Sequence, residues 1–266
     1  MEALVNGISL AYDETGTGSP LLLIHGFPLS RRMWRPQMNK LPRAGFRVIA
    51  PDLRGFGDSE APEGPYSMDV FADDIIGLLD HLGIDQAVVG GMSMGGYVLF
   101  NLLERYPDRV NGAIFIVTRA TADDEAAQAR RLQLAGDVRK FGPHVVADAF
   151  IKLLFAPGSE EERPKLVEEV YGWMVGNDSR GLAGGLLAMR ERRGYLHQLG
   201  SLSVPALAIG AELDQAAPPD TSRVIAAGIP GCRLAIIPSA GHLANLEDVK
   251  AFNQPIIEFM AALDQA

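Results

Sequence analysis

The sequence predicts an α/β fold in which a mostly parallel, doubly wound sheet of about eight strands carries helices on both faces. Three observations lead to this prediction. Short and continuously apolar runs recur at wide intervals, as expected of strands that are buried on both faces. Helical patterns separate several of these runs, and this alternation favours parallel connections. Between residues 119 and 198, helical patterns follow one another without a strand between them.

The first two strands are predicted to form a hairpin. The run ALV is followed by Asn6-Gly7 and then by ISLAYDE, and Asn-Gly favours the tight turn that matches the twist of two antiparallel strands. Six further strands are predicted in the runs LLLIHG (21–26), FRVIAPD (46–52), QAVVGG (86–91), GAIFIV (112–117), PALAIGAE (205–212) and CRLAIIP (232–238).

Helices are predicted between the strands and in one long block. SMDVFADDIIGLLDHLGI and MGGYVLFNLLERYPDRV have apolar residues at helical spacing. The block contains the helical stretches ADDEAAQARRLQLAGDVRKFG, PHVVADAFIKLLFAP, SEEERPKLVEEVYGWMVG and SRGLAGGLLAMRER. We therefore expect a core domain of residues 1–118 and 199–266, with residues 119–198 inserted as a helical cap. Such a cap would cover the carboxyl-terminal edge of the sheet, where ligands bind in these folds.

Composition and charge limit the partners of the chain. Its 266 residues carry a net charge of −9 at pH 7, which argues against a nucleic-acid partner. The longest apolar runs are far shorter than the ~20 residues of a membrane span, and MEALVNGISL lacks the features of a secretory signal. The single cysteine, Cys232, cannot form an internal disulfide. We expect a cytoplasmic protein that acts on a small molecule, and the sequence leaves open whether it is a monomer or a dimer.

The stretch GGMSMGG contains the candidate nucleophile, Ser93. Gly91 and Gly95 lie two residues before and after it, in a G-x-S-x-G pattern between a predicted strand and a predicted helix. On so sharp a turn these two positions have no room for a β-carbon, and the serine hydroxyl is held at the edge of the sheet. The alternative is a glycine-rich turn that serves close packing alone. The glycine spacing does not match a dinucleotide fingerprint, and the Lys-Ser/Thr of a phosphate loop is missing.

A serine needs a base, and the base needs an acid to orient it. Of the five histidines, His242 follows the last predicted strand and is the best candidate for the base. His25 is expected to brace a loop instead. Asp214 follows the preceding strand and is the candidate acid, with Glu212 as its main competitor. The chain order Ser, Asp, His is the order that this architecture uses.

Two backbone N–H groups are candidates for stabilising an oxyanion. Met94 directly follows the serine and opens a predicted helix, and Phe27 follows the strand LLLI within HGFP. The alternative for HGFP is an ordinary turn at the end of a strand. Arg119 follows another strand, where the helical block begins. We expect it to form structural hydrogen bonds rather than to bind a substrate carboxylate.

Over essentially its whole length the chain resembles the α/β-hydrolase superfamily. The resemblance rests on LLLIHGFPLSRRMW, APDLRGFGDSE, GGMSMGGYV, the Asp214 loop and AGHLANLE. Within the superfamily it is most similar to microbial small-cap serine carboxylesterases, thermophilic bacterial esterases among them. The resemblance implies a triad of Ser93, Asp214 and His242, an oxyanion hole at Phe27 and Met94, and neither a metal nor an organic cofactor.

The expected activity is hydrolysis of short-chain carboxylic esters through an acyl-enzyme. Enol-lactone hydrolysis, C–C bond hydrolysis and cofactor-free perhydrolysis remain open, the last because Pro28 follows Phe27. A hydrolase-fold receptor for a small molecule is the non-enzymatic alternative. Six apolar residues of the cap are candidates for an acyl pocket, although residues at helical spacing more often form the cap's own core than contact a substrate. They are Leu153, Leu154, Phe155, Trp173, Met174 and Met189.

Overall fold

One eight-stranded sheet organises the fold. The computed structural model of the protein describes residues 1–265. The strands are β1 (Glu2–Val5), β2 (Ile8–Thr15), β3 (Ser19–Ile24), β4 (Phe46–Pro51), β5 (Ala87–Met92), β6 (Val110–Ile116), β7 (Ala206–Ala211) and β8 (Arg233–Ile237). Their order is β1-β2-β4-β3-β5-β6-β7-β8. The pairs β1–β2 and β2–β4 are antiparallel, and the remaining five pairs are parallel. The predicted mostly parallel sheet is confirmed.

Helices surround the sheet and fill the segment between β6 and β7. They are α1 (Arg35–Lys40), α2 (Met68–His81), α3 (Met94–Arg105), α4 (Glu125–Phe141), α5 (His144–Leu154), α6 (Ser159–Glu162), α7 (Pro164–Val175), α8 (Ser179–Arg190), α9 (Pro219–Gly228), α10 (Ala244–Glu247) and α11 (Val249–Leu263). Helices α4 to α8 all lie within residues 119–198, which we call the helical segment. No helix in residues 1–265 is both long and apolar enough to cross a membrane.

The stretch SEEERPKLVEEVYGWMVG forms two helices, α6 and α7, and the break between them lies at Pro164. The preceding residue, Arg163, has a non-helical backbone with φ −135° and ψ 46°. Proline has no N–H to donate and disfavours helical geometry in the residue before it, whereas its fixed φ suits the first position of a helix. One proline therefore ends the first helix and begins the second.

The parallel strands bury both of their faces, which explains their continuous hydrophobicity. In β3, Leu22 and Ile24 belong to one apolar core, and Leu21 and Leu23 belong to the other. Successive side chains of a strand point to opposite faces. Strands of this kind therefore need apolar residues at every position, and the helices on the two sides complete the two cores.

The carboxyl ends of the parallel strands bring the candidate residues to one edge of the sheet. The chain leaves β3 for β4 on one side and returns to β5 on the other, so the direction of winding reverses between β3 and β5. Ligands bind at such switch points in open α/β sheets. Phe27 follows β3 and Ser93 follows β5 at this point, while Asp214 and His242 follow β7 and β8 farther along the same edge.

Candidate active site

Ser93 occupies a strained turn between β5 and α3. Its backbone has φ 52° and ψ −110°, a combination that residues with a side chain rarely adopt. Such a conformation costs about 1–3 kcal/mol and persists only when the surroundings impose it. The Ser93 N–H donates to the carbonyl of Ile116 over 2.9 Å, which ties the turn to the neighbouring strand β6.

The glycines around Ser93 are needed because backbone segments approach each other closely there. A β-carbon at Gly91 would lie 2.2 Å from the carbonyl oxygen of Gly95. One at Gly95 would lie 2.5 Å from the carbonyl oxygen of Ile24, and one at Gly96 would lie 2.4 Å from the side chain of Thr118. None of these glycines has a positive φ. The requirement is therefore space for a compact turn rather than an unusual backbone conformation.

His242 and Asp214 form a buried pair. The Nδ1 atom of His242 lies 2.7 Å from Oδ2 of Asp214, and both residues are buried. The other carboxylate oxygen of Asp214 accepts hydrogen bonds from the N–H groups of Ala216 (2.8 Å) and Ala217 (2.9 Å). The competing carboxylate, Glu212, is exposed and accepts from the N–H of Ser239 over 2.8 Å instead. The contacts thus bring Asp214, and not Glu212, to the histidine.

Two buried backbone N–H groups next to Ser93 lack a partner. Within residues 1–265, neither the Phe27 N–H nor the Met94 N–H donates a hydrogen bond, although both residues are buried. Unpaired buried N–H groups are rare because each loses its hydrogen bond to water without a replacement. Met94 is also the first residue of α3, where the helix dipole favours negative charge. These two donors are available to an anionic oxygen.

A cavity of about 390 Å³ opens at this edge of the sheet, and both Ser93 and His242 line it. Its volume falls within the usual range for small-molecule sites, about 300–1,000 Å³. Ser93 and His242 form no hydrogen bond with each other within the described residues. No group of three or more His, Cys, Asp or Glu side chains in residues 1–265 could hold a metal ion.

The six apolar residues named for the pocket divide into two groups. The three that line the cavity are Leu153, Leu154 and Met189. The three that do not line it are Phe155, Trp173 and Met174, which lie in an apolar core. Helix α7, which carries two of them, packs its apolar face against α5. Phe155 follows the last residue of α5 with an extended backbone and so leaves the helical register.

The cavity also contains residues that the sequence analysis did not name. Phe150 lies on the same face of α5 as Leu153 and Leu154, at spacings of three and four residues, and this spacing could have identified it. Leu134 of α4 and Leu186 of α8 add to the apolar lining. They face the cavity because α4 packs against α8, and a sequence pattern does not reveal such pairings.

Three arginines and one aspartate line the cavity as well. Asp123 accepts from Arg131, and it also pairs with Arg192, which lies 2.6 Å away outside the lining. Burial raises the pKa of Asp123, but the hydrogen bonds from these two arginines outweigh it and leave the pKa below its usual value. Arg119 donates a hydrogen bond to the carbonyl of Ala216. Arg130 is exposed at the cavity.

Two buried polar side chains join the helical segment to the loops of the site. Asn177 donates to the carbonyl of Pro28 over 2.9 Å and accepts from the N–H of Gly57 over 2.7 Å. Glu247 accepts from the N–H of Ala156 over 3.0 Å and from the N–H of Gly241, the neighbour of His242, over 2.7 Å. The loop that contains Phe27 and Pro28 and the loop that contains His242 are thereby each held to the helical segment.

His25 braces the loop that contains Phe27. Its Nε2 atom accepts from the N–H of Leu53 over 3.0 Å, and its Nδ1 atom lies 3.0 Å from the carbonyl oxygen of Gly26. This arrangement requires the neutral ring with its proton on Nδ1. Burial lowers the pKa of His25 below its ordinary value, although nearby Asp52 opposes this shift.

The lowered pKa of His25 predicts a loss of stability in mild acid. The unfolded chain takes up the proton near pH 6.5, whereas the folded chain resists it until the pH is lower. The free energy of unfolding should therefore fall below about pH 6.5 by up to about 1.4 kcal/mol per pH unit from this group. Urea unfolding of the wild type and of His25→Gln at pH 8.0 and 5.5 measures this. The difference in the free energy of unfolding between the wild type and His25→Gln should be smaller at pH 5.5 than at pH 8.0. An equal difference at both pH values would contradict the prediction.

Comparison with known proteins supports a common fold and divergent reactions. A sequence model of the alpha/beta hydrolase fold matches residues 19–249. A solved thermophilic esterase from Thermogutta terrifontis with malate bound is 37% identical, with a TM-score of 0.95 over 99% of this chain and 98% of that one. An enol-lactonase from Burkholderia xenovorans LB400 is 31% identical, with a TM-score of 0.90 over 98% and 100% of the two chains. The 3-oxoadipate enol-lactonase 2 of Acinetobacter baylyi is 33% identical over 94% of this chain and 92% of its own.

Proposed function

Since the chain belongs to the α/β-hydrolase fold family, we propose that it is a serine hydrolase that cleaves short-chain carboxylic esters through an acyl-enzyme. The observation that carries this proposal is the joint placement of Ser93 and of the His242–Asp214 pair at one cavity. A strained serine next to a carboxylate-oriented histidine is the arrangement that activates an otherwise weak nucleophile.

In the proposed reaction, Ser93 attacks the ester carbonyl while His242 removes the proton from its hydroxyl. Asp214 keeps the proton of the neutral ring on Nδ1, so that Nε2 is free to act as the base, and it stabilises the imidazolium that forms. The alcohol leaves with the proton from His242. Water then attacks the acyl-enzyme by the same route and releases the acid.

The negative charge of each tetrahedral intermediate falls on the former carbonyl oxygen. We assign its stabilisation to the N–H groups of Phe27 and Met94, which donate to no other residue within 1–265. Donors that are fixed before the reaction need no reorganisation when the charge develops, and one such donor typically contributes about 10²–10³-fold in kcat. This role also explains why two buried N–H groups remain unpaired.

We assign residues 119–198 as a cap that sets substrate specificity over a core formed by the rest of the chain. The support is that α4, α5 and α8 supply most of the cavity lining, including Phe150, Leu153 and Met189. An apolar wall in this position suits a short acyl or alkyl group. The volume of about 390 Å³ limits the size of that group.

Enol-lactone hydrolysis is the second candidate, and two relatives with that activity in their names favour it. A lactone is a cyclic ester, so the same serine, base and oxyanion donors would open it. The difference is that the leaving group of an enol-lactone is an enol, which stays attached to the acyl chain and becomes a ketone. Assays with an enol-lactone beside linear esters separate the two candidates by their relative kcat/KM.

Steady-state hydrolysis of p-nitrophenyl esters from acetate to decanoate tests the proposal. We expect rapid turnover of the acetate and butyrate esters and a sharp decline towards decanoate, because the cavity is small. Treatment with a fluorophosphonate should add one label, on Ser93, as detected by mass spectrometry of the peptides. Absence of turnover with every ester, or a label elsewhere, would contradict the proposal.

A further inference from the structure

The catalytic cavity contains an arginine whose charge no carboxylate balances. We propose that the substrate bears a carboxylate in addition to the scissile ester and that Arg119 binds this group. The inference rests on the proposed ester hydrolysis and narrows its substrate class to anionic esters, such as monoesters of short dicarboxylic acids. Arg119 lines the same cavity as Ser93 and His242.

Arg119 differs from Arg31 and Arg54 in that no carboxylate lies beside its guanidinium group. Arg31 pairs with Asp52, Arg54 pairs with Asp74, and each of these guanidinium groups is largely buried. Arg119 is half-buried, yet within residues 1–265 it has no carboxylate oxygen within 4.0 Å. Taking a charge out of water is costly unless an opposite charge compensates for it. A substrate carboxylate would supply that compensation.

Arg119 also has donors to spare. A guanidinium carries five N–H donors in a planar fork that suits a carboxylate. The single hydrogen bond of Arg119 within the described residues runs from Nη2 to the carbonyl of Ala216. The position after β6, between β5 with Ser93 and β7 with Asp214, fixes this group at the catalytic edge of the sheet.

The other charges of the lining reinforce the preference for an anion. Arg131 is engaged by Asp123, whereas Arg130 forms no ion pair within residues 1–265 and stands exposed at the cavity. The lining is therefore net positive in a chain whose net charge is −9. A cleft with one sign of charge concentrates ligands of the opposite sign. Although the chain as a whole is acidic, the net positive lining makes the cavity favourable for a small anion.

A pair of matched esters provides the test. Monomethyl succinate carries a carboxylate, and methyl levulinate has a methyl ketone of similar shape in its place. We expect wild-type kcat/KM to be at least about tenfold higher for monomethyl succinate. Arg119→Gln should lower the ratio of the two kcat/KM values by about 10–100-fold, as for the loss of charge-assisted hydrogen bonds. Arg119→Lys should retain part of the preference for monomethyl succinate.

The control Arg139→Gln makes the same change in net charge on an exposed part of α4 and should leave both kcat/KM values unchanged.

The ratio of the kcat/KM values for the two esters distinguishes anion binding by Arg119 from a role of Arg119 in positioning Asp214. Arg119 holds the carbonyl of Ala216, and the N–H of Ala216 donates to Asp214. A purely positioning role would lower both kcat/KM values in proportion, and an unchanged ratio would therefore overturn the proposal. So would a wild type that prefers methyl levulinate.

A binding measurement tests whether Arg119 binds an anion, independently of the proposed ester hydrolysis. Succinate, the diacid product, should bind to the Ser93→Ala variant in calorimetry, and the added Arg119→Gln substitution should weaken that binding about tenfold or more. If the wild type hydrolyses neither these two esters nor any p-nitrophenyl ester, the proposed function fails, and the succinate titration still decides whether Arg119 binds an anion. Equal affinity with and without Arg119→Gln would overturn the inference.

Discussion

Replacing Ser93 with alanine should lower kcat for p-nitrophenyl butyrate by about 10⁴- to 10⁶-fold, because no other group at the cavity can form the acyl-enzyme. The His242–Asp214 pair and the two backbone donors would remain, so a small residual rate above that in water is expected. Steady-state kinetics at saturating ester give this ratio of kcat values, with purified wild type and variant measured side by side.

The matched control is Ser201→Ala, a substitution at an exposed serine outside the cavity. It should retain the wild-type rate. Both variants should unfold at a temperature close to that of the wild type, since Ser93 is held in its strained conformation by its surroundings rather than by its hydroxyl. A Ser93→Ala variant that keeps more than a tenth of the wild-type kcat would exclude the proposed nucleophile.

Asp214→Asn should reduce kcat by about 10⁴-fold while the fold stays intact. The amide oxygen can still accept from the N–H groups of Ala216 and Ala217. The amide nitrogen, however, would then donate to Nδ1 of His242, which places the ring proton on Nε2. In that tautomer the histidine cannot take the proton of Ser93, so the base is lost without a change of shape.

Glu212→Gln tests the competing acid with the same carboxylate-to-amide change, two residues away. Glu212 is exposed and bonds to the N–H of Ser239, so kcat should stay within about twofold of the wild type. The pH dependence of kcat/KM for both variants would show whether the base itself has changed. Equal losses in Asp214→Asn and Glu212→Gln would mean that the loop, and not one carboxylate, is required.

The architecture could be predicted because local patterns reflect it directly. A strand buried on both faces must be apolar throughout, as the alternate placement of Leu21 and Leu22 in the two cores shows. The tight turn at Asn6-Gly7 has positive φ at both residues, which these residue types favour. The G-x-S-x-G pattern, the chain order, the strand ends and the family resemblance together predicted Ser93, Asp214 and His242 as one group.

The wall of the cavity could be predicted only in part, because a helical pattern shows which face is apolar but not what covers it. Leu153 and Trp173 lie in similar apolar helices, yet one lines the cavity and the other lies in the core where α5 meets α7. The distant contacts of Asn177 have no signal in the sequence. Besides the nearby carbonyls of Trp173 and Met174, its partners are backbone atoms of Pro28 and Gly57, more than a hundred residues earlier in the chain.

The ties made by Asn177 and Glu247 restrict how this protein can be recombined with its relatives. A chimera that takes residues 119–198 from another hydrolase needs an amide side chain in the place of Asn177, to bind the Pro28 carbonyl and the Gly57 N–H. It must further present a backbone N–H to Glu247, or the carboxylate that binds the N–H of Gly241, beside His242, loses this hydrogen bond to the helical segment. New substrate ranges are therefore more accessible through single replacements inside the cavity than through exchange of the whole insert.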